Sequence, residues 1–422
     1  MSSEVARQYV PYLVAFNLSD RCNLSCAHCY MDAAQKATAG DGELRFSELA
    51  ALFADIGREA PGTIAVLTGG EPLMRPDIEG LVDAGRDAGL RMVIGTNGVL
   101  LTKTKIRRFK ELGLEGVGIS LDSVSAEGHD SFRGVTGSFA RACTAIRQCK
   151  AEGLHAQVHF TVTKHNCGEL AQAVALARDL GAAIINFFFL VCIGRGGRQM
   201  DLSADLYEQL LEEIAGLQRS TKGIMVQSRC TPHYKRILYE NDPASPYTRA
   251  TGYDGGGCPA ASHYCRIAPN GDVTPCPYIE LSAGNVRQKP FWDIWDEAVL
   301  FESLRTPDLL QGRCARCEYK LLCGGCRARS LAQAGNLMGE DPNCSYVPQG
   351  GETIPIQIAG IGDEVEWTPE ARERLARIPV FLRPRIKKKL EERARAEGTV
   401  VTPDLMQRHR EERELELGIK FN

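Results

Sequence analysis

Residues 12–30 read YLVAFNLSDRCNLSCAHCY. It opens with a short apolar and aromatic run, Tyr12–Leu18, which predicts a buried β-strand. Cys22, Cys26 and Cys29 follow in a C-x3-C-x2-C pattern, so three thiols lie in the loop directly after that strand. A strand that carries reactive groups just beyond its carboxyl end is typical of parallel α/β folds.

Beyond this loop, β-branched and aromatic runs alternate with helical patterns as far as about residue 219, which indicates repeated βα units and a parallel sheet. Because a closed barrel needs eight strands and six units are present, we predict an open, partial (β/α)6 barrel. The predicted strands are Tyr12–Leu18, Thr63–Thr68, Arg91–Thr96, Gly116–Leu121, Ala156–Thr163 and Ile184–Leu190. The predicted helices are Ser47–Glu59, Asp77–Ala88, Lys103–Leu112, Ser138–Ala151, Gly168–Leu180 and Ala204–Gln218.

The overall composition excludes several other classes of protein. A chain of 422 residues with 44% hydrophobic and 24% charged residues is globular and long enough for more than one core. Its 50 basic and 53 acidic residues give no reason to expect nucleic acid or an anionic membrane as a partner. No apolar run approaches the roughly 18 to 20 residues of a membrane span, and no signal peptide precedes residue 11, so we expect a cytoplasmic protein.

The sequence contains 16 cysteines, an unusual number for such a chain. Disulfides are disfavoured in a reducing cytosol, so we expect metal, cluster or thiol chemistry instead. Three thiols within eight residues can bind three irons of a 4Fe-4S cluster and leave the fourth iron open to a small molecule. A zinc site is the alternative, although His28 is poorly positioned as its fourth ligand.

Polar motifs end three of the predicted strands. They are Gly69-Gly70-Glu71 after strand two, Thr96-Asn97 after strand three, and Ser120 with Asp122 after strand four. Because the carboxyl ends of the strands form one face of an α/β barrel, these motifs are predicted to converge on the cysteine loop. Glycines permit close backbone approach, Glu71 could accept from an ammonium group, and the hydroxyl and amide side chains suit a ribose.

These motifs together resemble the radical S-adenosylmethionine superfamily over roughly residues 11–200. The resemblance implies that Cys22, Cys26 and Cys29 hold a 4Fe-4S cluster whose open iron binds S-adenosylmethionine, which is cleaved to a 5'-deoxyadenosyl radical. It further implies that the amino group of the cofactor lies at Gly69, Gly70 and Glu71, its nucleoside along Thr96, Asn97 and Ser120, and its carboxylate at Arg133. Arg133 is read as a loop residue.

A second field of eight cysteines spans residues 258–344, with little room for a conventional apolar core. This segment resembles the SPASM extension of radical enzymes. The resemblance implies one auxiliary cluster on Cys258, Cys265, Cys276 and Cys326, and another on Cys314, Cys317, Cys323 and Cys344. The short gap between Cys323 and Cys326 leaves open whether the first auxiliary cluster has four protein ligands. Two zinc knuckles are the alternative.

The domain organisation follows from these patterns. We predict a radical SAM barrel at residues 1–219, a bridge at 220–257, the SPASM domain at 258–350, a linker at 351–365 and a small helical domain at 366–422. Cys143 and Cys149 fall in a helical pattern, and for Cys192 and Cys230 ordinary packing is favoured over a role at the site.

Local motifs indicate a branch of the superfamily. Ala27-His28-Cys29-Tyr30, Gly194-Arg195-Gly196, the Cys323–Arg329 motif and Glu340–Cys344 resemble the heme-biosynthesis branch, which includes the decarboxylase of the siroheme-dependent pathway. The C-terminal helices resemble a domain of light-independent protochlorophyllide reductase. The resemblance implies a tetrapyrrole substrate and a ferredoxin or flavodoxin as electron donor. A peptide-modifying SPASM maturase and a noncatalytic iron-sulfur electron-transfer protein are the alternatives.

Overall fold

The computed structural model describes residues 9–33, 42–243, 257–354, 365–378 and 383–417. Six βα units form its first half, as the periodicity predicts, and most observed bounds lie within one or two residues of the predicted ones. The strands are β1 Leu13–Asn17, β2 Ile64–Thr68, β3 Arg91–Thr96, β4 Gly116–Ser120, β5 His155–Val162 and β6 Ile184–Phe189. The helices are α1 Phe46–Glu59, α2 Ile78–Asp87, α3 Lys103–Glu111, α4 Ala126–Arg133, α5 Ser138–Glu152, α6 Leu170–Leu180 and α7 Ala204–Ser220.

The segment predicted to be a bridge contributes to the same sheet. Met225–Arg229 forms strand β7, which pairs in parallel with β6, and Tyr234–Asn241 forms helix α8. The alternation of Met225, Val226 and Gln227 between half-buried and buried positions fits a strand with one apolar face. The parallel part of the sheet is therefore one strand longer than the sequence patterns predict.

The cysteine-rich segment extends the sheet at its other edge. Strand β8, Tyr264–Ile267, pairs in parallel with β1, and the short strands β9, Asp272–Thr274, and β10, Gly284–Asn285, continue antiparallel beyond it. The strand order is β10-β9-β8-β1-β2-β3-β4-β5-β6-β7. The parallel strands of the partial barrel therefore run from β8 at one edge to β7 at the other, and β8 comes from the SPASM segment.

The expectation that this segment lacks an apolar core was wrong for its first half. Ile267, Val273, Phe291, Trp295 and Phe301 are all buried in the same core as the barrel helices. Two helices, α9 Phe291–Glu297 and α10 Val299–Arg305, carry most of these aromatic side chains. The remaining cysteine-rich part contains only short helices, α11 Gly312–Ala315 and α12 Arg327–Ala334.

The two faces of the main sheet differ in chemistry. One face packs on the helices and is formed by residues such as Val14, Phe16, Val117 and Val158, all of which are fully buried or nearly so. The opposite, interior face carries polar and half-buried side chains on β4 to β8. Because successive residues of a strand point to opposite faces, this division follows directly from the sequence.

The C-terminal segment forms three helices, α13 Pro369–Arg377, α14 Arg383–Glu397 and α15 Pro403–Leu417. They enclose a small core of their own that consists of Trp367, Ala371, Leu390, Ala394, Val401 and Leu405. Thr368 caps α13 by accepting a hydrogen bond from the Ala371 amide at 3.2 Å, as the Thr-Pro-Glu start predicts. None of the described helices is long and apolar enough to cross a membrane.

Packing of α1 against α2 generates a prediction about stability. A Cβ atom added at Gly57 would lie 1.9 Å from the Ala88 carbonyl oxygen, whereas one at Gly216 in α7 would meet nothing within 4 Å. We expect Gly57→Ala to destabilise the fold by about 1–3 kcal/mol because the two helices must separate. Gly216→Ala, the matched control, should stabilise it by up to about 1 kcal/mol through helix propensity. Thermal unfolding followed by circular dichroism measures both, and equal Tm values would contradict this packing.

Candidate active site

The three predicted cluster cysteines lie together after β1. Cys22 and Cys26 are buried, Cys29 is half-buried, and all three pack in one small apolar cluster with Leu24 and Ala33. Burial above all, with smaller contributions from the Glu71 carboxylate and the other two thiols, raises the pKa of the Cys22 thiol to about 11, and the hydrogen bond from the Leu24 amide opposes the rise. The sequence-based grouping of these thiols is therefore matched by their positions.

Each of the three thiols accepts at least one hydrogen bond from an N–H group. The Leu24 amide donates to Cys22 at 3.4 Å, the Ala33 amide donates to Cys29 at 3.4 Å, and the Arg133 guanidinium donates to Cys26 at 3.5 Å. Such donors stabilise thiolates and tune the reduction potential of a bound cluster. The loop therefore provides the electrostatic environment that a cluster with an open iron requires.

Gly69 and Gly70 bring β2 close to the base of the cysteine loop. The Gly70 amide donates to the Ser19 carbonyl at 2.7 Å, and the Glu71 amide donates to the Arg21 carbonyl at 2.8 Å. A Cβ atom at Gly70 would lie 2.0 Å from that same Arg21 oxygen. Only glycine allows this approach, so one function of the motif is to fix the loop in place.

Glu71 lies deeper than the sequence suggests. Its side chain is fully buried, and its carboxylate accepts hydrogen bonds from the Thr96 hydroxyl at 2.7 Å, the Asn97 amide at 2.9 Å and the Leu73 amide at 3.1 Å. Burial raises its pKa, while these three donors oppose the rise. These contacts join the ends of β2 and β3, and the proximity of Glu71 to the cofactor's ammonium group stays a prediction.

Asn97 connects this network to the cysteine loop. Its side-chain amide donates to Asn23 at 2.7 Å and lies 3.9 Å from the Cys22 sulfur. Thr96 is buried beside it, and Ser120 lies half-buried on the interior face opposite His159. The predicted strand-end residues thus do converge, although Thr96 and Asn97 have their strongest contacts within the protein.

Arg133 is a helical and buried residue, and the prediction of an exposed loop arginine was wrong. It ends α4, a helix that the sequence analysis missed, and it pairs with the buried carboxylate of Asp122 at 2.5 Å. The last carbonyls of α4 also hold the cysteine loop. The Ser25 amide donates to the Arg133 carbonyl, and the Ala27 amide donates to the Phe132 carbonyl. Its partners within the protein are Asp122 and Cys26, and its pairing with the cofactor carboxylate stays a prediction.

A second clamp on the loop comes from the Gly194-Arg195-Gly196 motif. The Arg195 guanidinium donates to the Cys26 carbonyl at 3.0 Å, the Ala33 carbonyl at 2.9 Å and the Asp32 carboxylate at 2.8 Å. Gly194 has a φ of 56°, and a Cβ atom there would lie 2.5 Å from the Cys29 carbonyl. The motif itself was visible in the sequence, but its role was not, because 166 or more residues separate it from the cysteines it holds.

The second cysteine field divides into two sites. Four thiols line one cavity together with Arg236, Arg313 and Asp341, and they are Cys314, Cys317, Cys323 and Cys344. The Gly325 amide donates to Cys323 at 3.4 Å, and Arg327 lies 3.8 Å from Cys314. This grouping is the one that the SPASM resemblance implies for the second auxiliary cluster, with Cys326 outside it.

The other expected set does not come together completely. Burial and the nearby thiols of Cys258 and Cys326 raise the pKa of Cys276 far above its usual value, so these three lie close to one another. Cys265 lies elsewhere, fully buried in the apolar core on the helix-facing side of β8. Strand alternation explains this outcome, since Tyr264 and Arg266 occupy the interior face and Cys265 must then point away.

Spacing between the thiols bears on the kind of metal group. Within the described residues, no set of three or more His, Cys, Asp or Glu side chains converges closely enough to hold a single ion. The ligands of one zinc ion all lie about 2.0–2.3 Å from it, whereas a four-iron cube separates its ligands more widely.

Contacts of Arg195 generate a prediction for the first site. Arg195→Ala removes three hydrogen bonds to the cysteine loop, so we expect the cluster at this site to lose iron several-fold faster to a chelator. The auxiliary sites should keep their iron. Arg107→Ala, which removes only an exposed ion pair with Glu152, is the control. Electron paramagnetic resonance during chelation follows each site, and equal rates in the two variants would contradict the clamp.

Comparison with protein families matches three parts of the chain. The radical SAM superfamily matches residues 16–177, and an iron-sulfur cluster-binding SPASM domain matches residues 258–318. Residues 367–410 match the family of the proto-chlorophyllide reductase 57 kD subunit. These ranges cover the partial barrel, part of the cysteine-rich segment and the small helical core.

Similar proteins extend over most of the chain. An AdoMet-dependent heme synthase of Methanosarcina barkeri is 37% identical over 82% of this chain and 99% of its own length. A pre-heme d1 synthase of Dinoroseobacter shibae is 32% identical over 81% of this chain and 87% of its own length. A PqqA peptide cyclase of Gluconobacter oxydans is 28% identical over 80% and 91%.

Solved structures support the fold. Streptococcus suis SuiB bound to S-adenosylmethionine superposes with a TM-score of 0.65 at 16% identity, covering 80% of this chain and 78% of that chain. Native anSMEcpe with bound AdoMet gives a TM-score of 0.61 at 18% identity, covering 79% and 93%. The chain belongs to the radical SAM superfamily, in the SPASM branch that includes the AdoMet-dependent heme synthases, and it is an S-adenosylmethionine enzyme with 4Fe-4S clusters.

Proposed function

We propose that this enzyme oxidatively decarboxylates propionate side chains of an iron porphyrin, and so acts in heme biosynthesis. The similarity to proteins named as heme synthases supports this reaction. The observation that carries it furthest is a pair of arginines on the interior face of the barrel, Arg229 on β7 and Arg266 on β8.

The strand register puts both arginines on the interior face. Arg229 pairs with Phe188 of β6, and Arg266 pairs with Ala15 of β1, while their sequence neighbours Ser228 and Cys265 face the helices. His159 lies on the same face, and burial followed by the charge of Arg229 lowers its pKa to about 4. The imidazole is therefore neutral near pH 7, and the arginines supply the positive charge.

Neither arginine forms an ion pair with a carboxylate in the part of the chain that the structure describes. Arg229 donates to the side-chain carbonyl of Gln227, and Arg266 donates weakly to the Pro277 carbonyl at 3.4 Å. The Nε of Arg266 is buried without a hydrogen-bond partner among the described residues. Two such guanidinium groups are suited to a substrate that brings carboxylates of its own.

Aromatic side chains line the space between the first site and the auxiliary sites. The rings of Tyr30 and Tyr278 lie 5.3 Å apart in an edge-to-face arrangement. Burial raises the pKa of Tyr30, and the thiols of Cys29 and Cys276 both contribute to the rise, so this ring lies between the two thiol sets. Flat aromatic surfaces beside cationic groups suit a macrocycle with an apolar body and charged propionates.

The chemistry explains why a radical is needed. Heterolytic loss of CO2 from an unactivated propionate would leave an unstabilised carbanion, which acid-base catalysis cannot prevent. Conversion of one propionate to a vinyl group instead releases one hydrogen atom, one electron and CO2. When bound, the cofactors supply a 5'-deoxyadenosyl radical to take the hydrogen atom and an auxiliary cluster to take the electron.

The chain's own residues orient the substrate for this reaction. A guanidinium next to a propionate lowers the pKa of that acid and keeps it ionised, the form that can leave as CO2. Fixing the carboxylate also fixes the carbon that loses hydrogen, since the two are separated by only a single carbon. A ferredoxin or flavodoxin as the one-electron donor completes the proposal.

The C-terminal helices are consistent with the same substrate class. Their match is to a subunit of proto-chlorophyllide reductase, and protochlorophyllide is itself a tetrapyrrole. Their compact core of Trp367, Ala371 and Leu390 makes them a distinct small unit. We propose that this unit assists tetrapyrrole handling.

Isotope transfer tests the reaction. Fe-coproporphyrin III deuterated on its propionates is incubated anaerobically with reconstituted enzyme, S-adenosylmethionine and reductant, and products are read by mass spectrometry. We expect deuterium in 5'-deoxyadenosine and mass losses that correspond to CO2. A Cys22→Ala, Cys26→Ala, Cys29→Ala variant should produce neither. Unlabelled 5'-deoxyadenosine with the porphyrin, together with transfer from a candidate peptide, would favour a peptide maturase like the relatives named PqqA peptide cyclase.

Substrate binding tests the arginine pair separately. We expect Arg229→Met and Arg266→Met each to weaken porphyrin binding about tenfold or more, because a charge-assisted hydrogen bond contributes about 1.5–3 kcal/mol. S-adenosylmethionine binding should be unchanged. Arg178→Met, at an exposed pair with Asp179, is the control. Absorbance titration with the porphyrin gives each Kd, and equal Kd values in all three variants would contradict a role in carboxylate recognition.

A further inference from the structure

We propose that Cys230, and not Cys265, is the fourth thiolate ligand of the auxiliary cluster held by Cys258, Cys276 and Cys326. Nothing in the spacing of the cysteines indicates this assignment. It depends on which thiols share a space in the fold, and it concerns cluster ligation rather than the substrate.

Cys265 cannot reach the other three thiols from its position. It pairs with Val14 across β1 and β8, and both side chains are buried in the core that packs on the barrel helices. Its exposure is 0%, and burial raises its pKa, with the charge of Arg305 opposing the rise. Turning it toward the interior would require a one-residue slip of β8, which would bury Arg266 in the same apolar core.

Cys230 lies on the correct side of the barrel. It follows Arg229 at the end of edge strand β7, and its thiol is half-buried, as are those of Cys258 and Cys276. Cys276 and Cys326 pack together in one small apolar cluster that also contains Tyr278. Cys265 belongs instead to the core of the barrel.

The backbone of Cys230 is held in an uncommon conformation. Its φ is 61°, a left-handed value that non-glycine residues rarely adopt. The Arg329 guanidinium donates to the Cys230 carbonyl at 2.5 Å and also pairs with the buried Asp341 carboxylate at 2.6 Å. That carboxylate accepts from the Cys326 amide at 2.8 Å. One buried ion pair thus fixes Cys230 beside Cys326.

Strain of this kind persists only where surrounding contacts hold it in place. Here the effect is to bring the Cys230 thiol into hydrogen-bond contact with Tyr278, which packs in one apolar cluster with Cys276 and Cys326. The same segment continues to His233 and Arg236, which line the cavity of the second auxiliary site. Residues 230–236 therefore connect the two auxiliary sites.

Iron content tests the assignment independently of the substrate. We expect reconstituted wild-type enzyme to bind about twelve irons, the sum of three four-iron clusters. Cys265→Ala should retain this content, whereas Cys230→Ala should lose between one and four irons and show a three-iron signal in electron paramagnetic resonance. Cys230→Ser, which keeps an oxygen ligand, should retain more iron than Cys230→Ala, with a shifted spectrum.

The outcomes separate cleanly. Iron loss in Cys265→Ala with none in Cys230→Ala would overturn the proposal in favour of the set that the SPASM resemblance implies. No loss in either variant would overturn it as well, because the cluster would then have an open iron. If both lose iron, the spectrum of Cys230→Ser decides, since a shifted signal requires ligation by residue 230 and an unshifted or absent one excludes it. Each result holds whether or not the porphyrin proposal succeeds.

Discussion

The position of the Cys22–Cys29 loop is the constraint on which the rest of the site depends. Three thiolates must converge on one cluster, yet residues 22–30 contain neither helix nor strand. Their geometry is therefore determined by neighbours. The end of α4 and Arg195 after β6 hydrogen-bond the loop backbone, while Gly70 and Glu71 after β2 bond Ser19 and Arg21 just before it. Groups at the carboxyl face of the barrel thus hold the loop in place.

Sequence reasoning predicted the elements that depend on local pattern. The six βα units and the first cysteine site follow from hydrophobic periodicity and short spacing, and the observed strand β3 has the predicted bounds. The helix α4 was missed because residues 126–133 carry few apolar residues at helical spacing, and only tertiary contacts reveal their role. The donors that surround Glu71 could not be predicted, because a strand-end carboxylate in sequence gives no indication of which groups will hydrogen-bond it.

The positions of Cys265 and Cys230 could not be predicted from the sequence for a different reason. Counting cysteines treats every thiol in a segment as equivalent, but a strand alternates its faces, and a single position decides whether a thiol meets the cluster space or the core. Strand β8 was not predicted, so the alternation at Tyr264, Cys265 and Arg266 could not be used. Cys230 was accessible only through contacts such as that of Arg329 with its carbonyl, which spans 99 residues of sequence.

Positively charged side chains lie close to the thiols of these sites. The chain as a whole has a formal charge of -3, yet buried cations stand beside the thiols. Arg133 contacts Cys26, and Arg327 lies close to Cys314. Burial lowers the pKa of Lys235 to about 8, and the thiols of Cys258 and Cys323 oppose this fall. Cluster thiolates are anionic, and a buried charge is costly unless an opposite charge lies nearby. Because thiols must be deprotonated to ligate iron, and the ligand set forms only in the folded chain, cluster binding contributes to the free energy of folding.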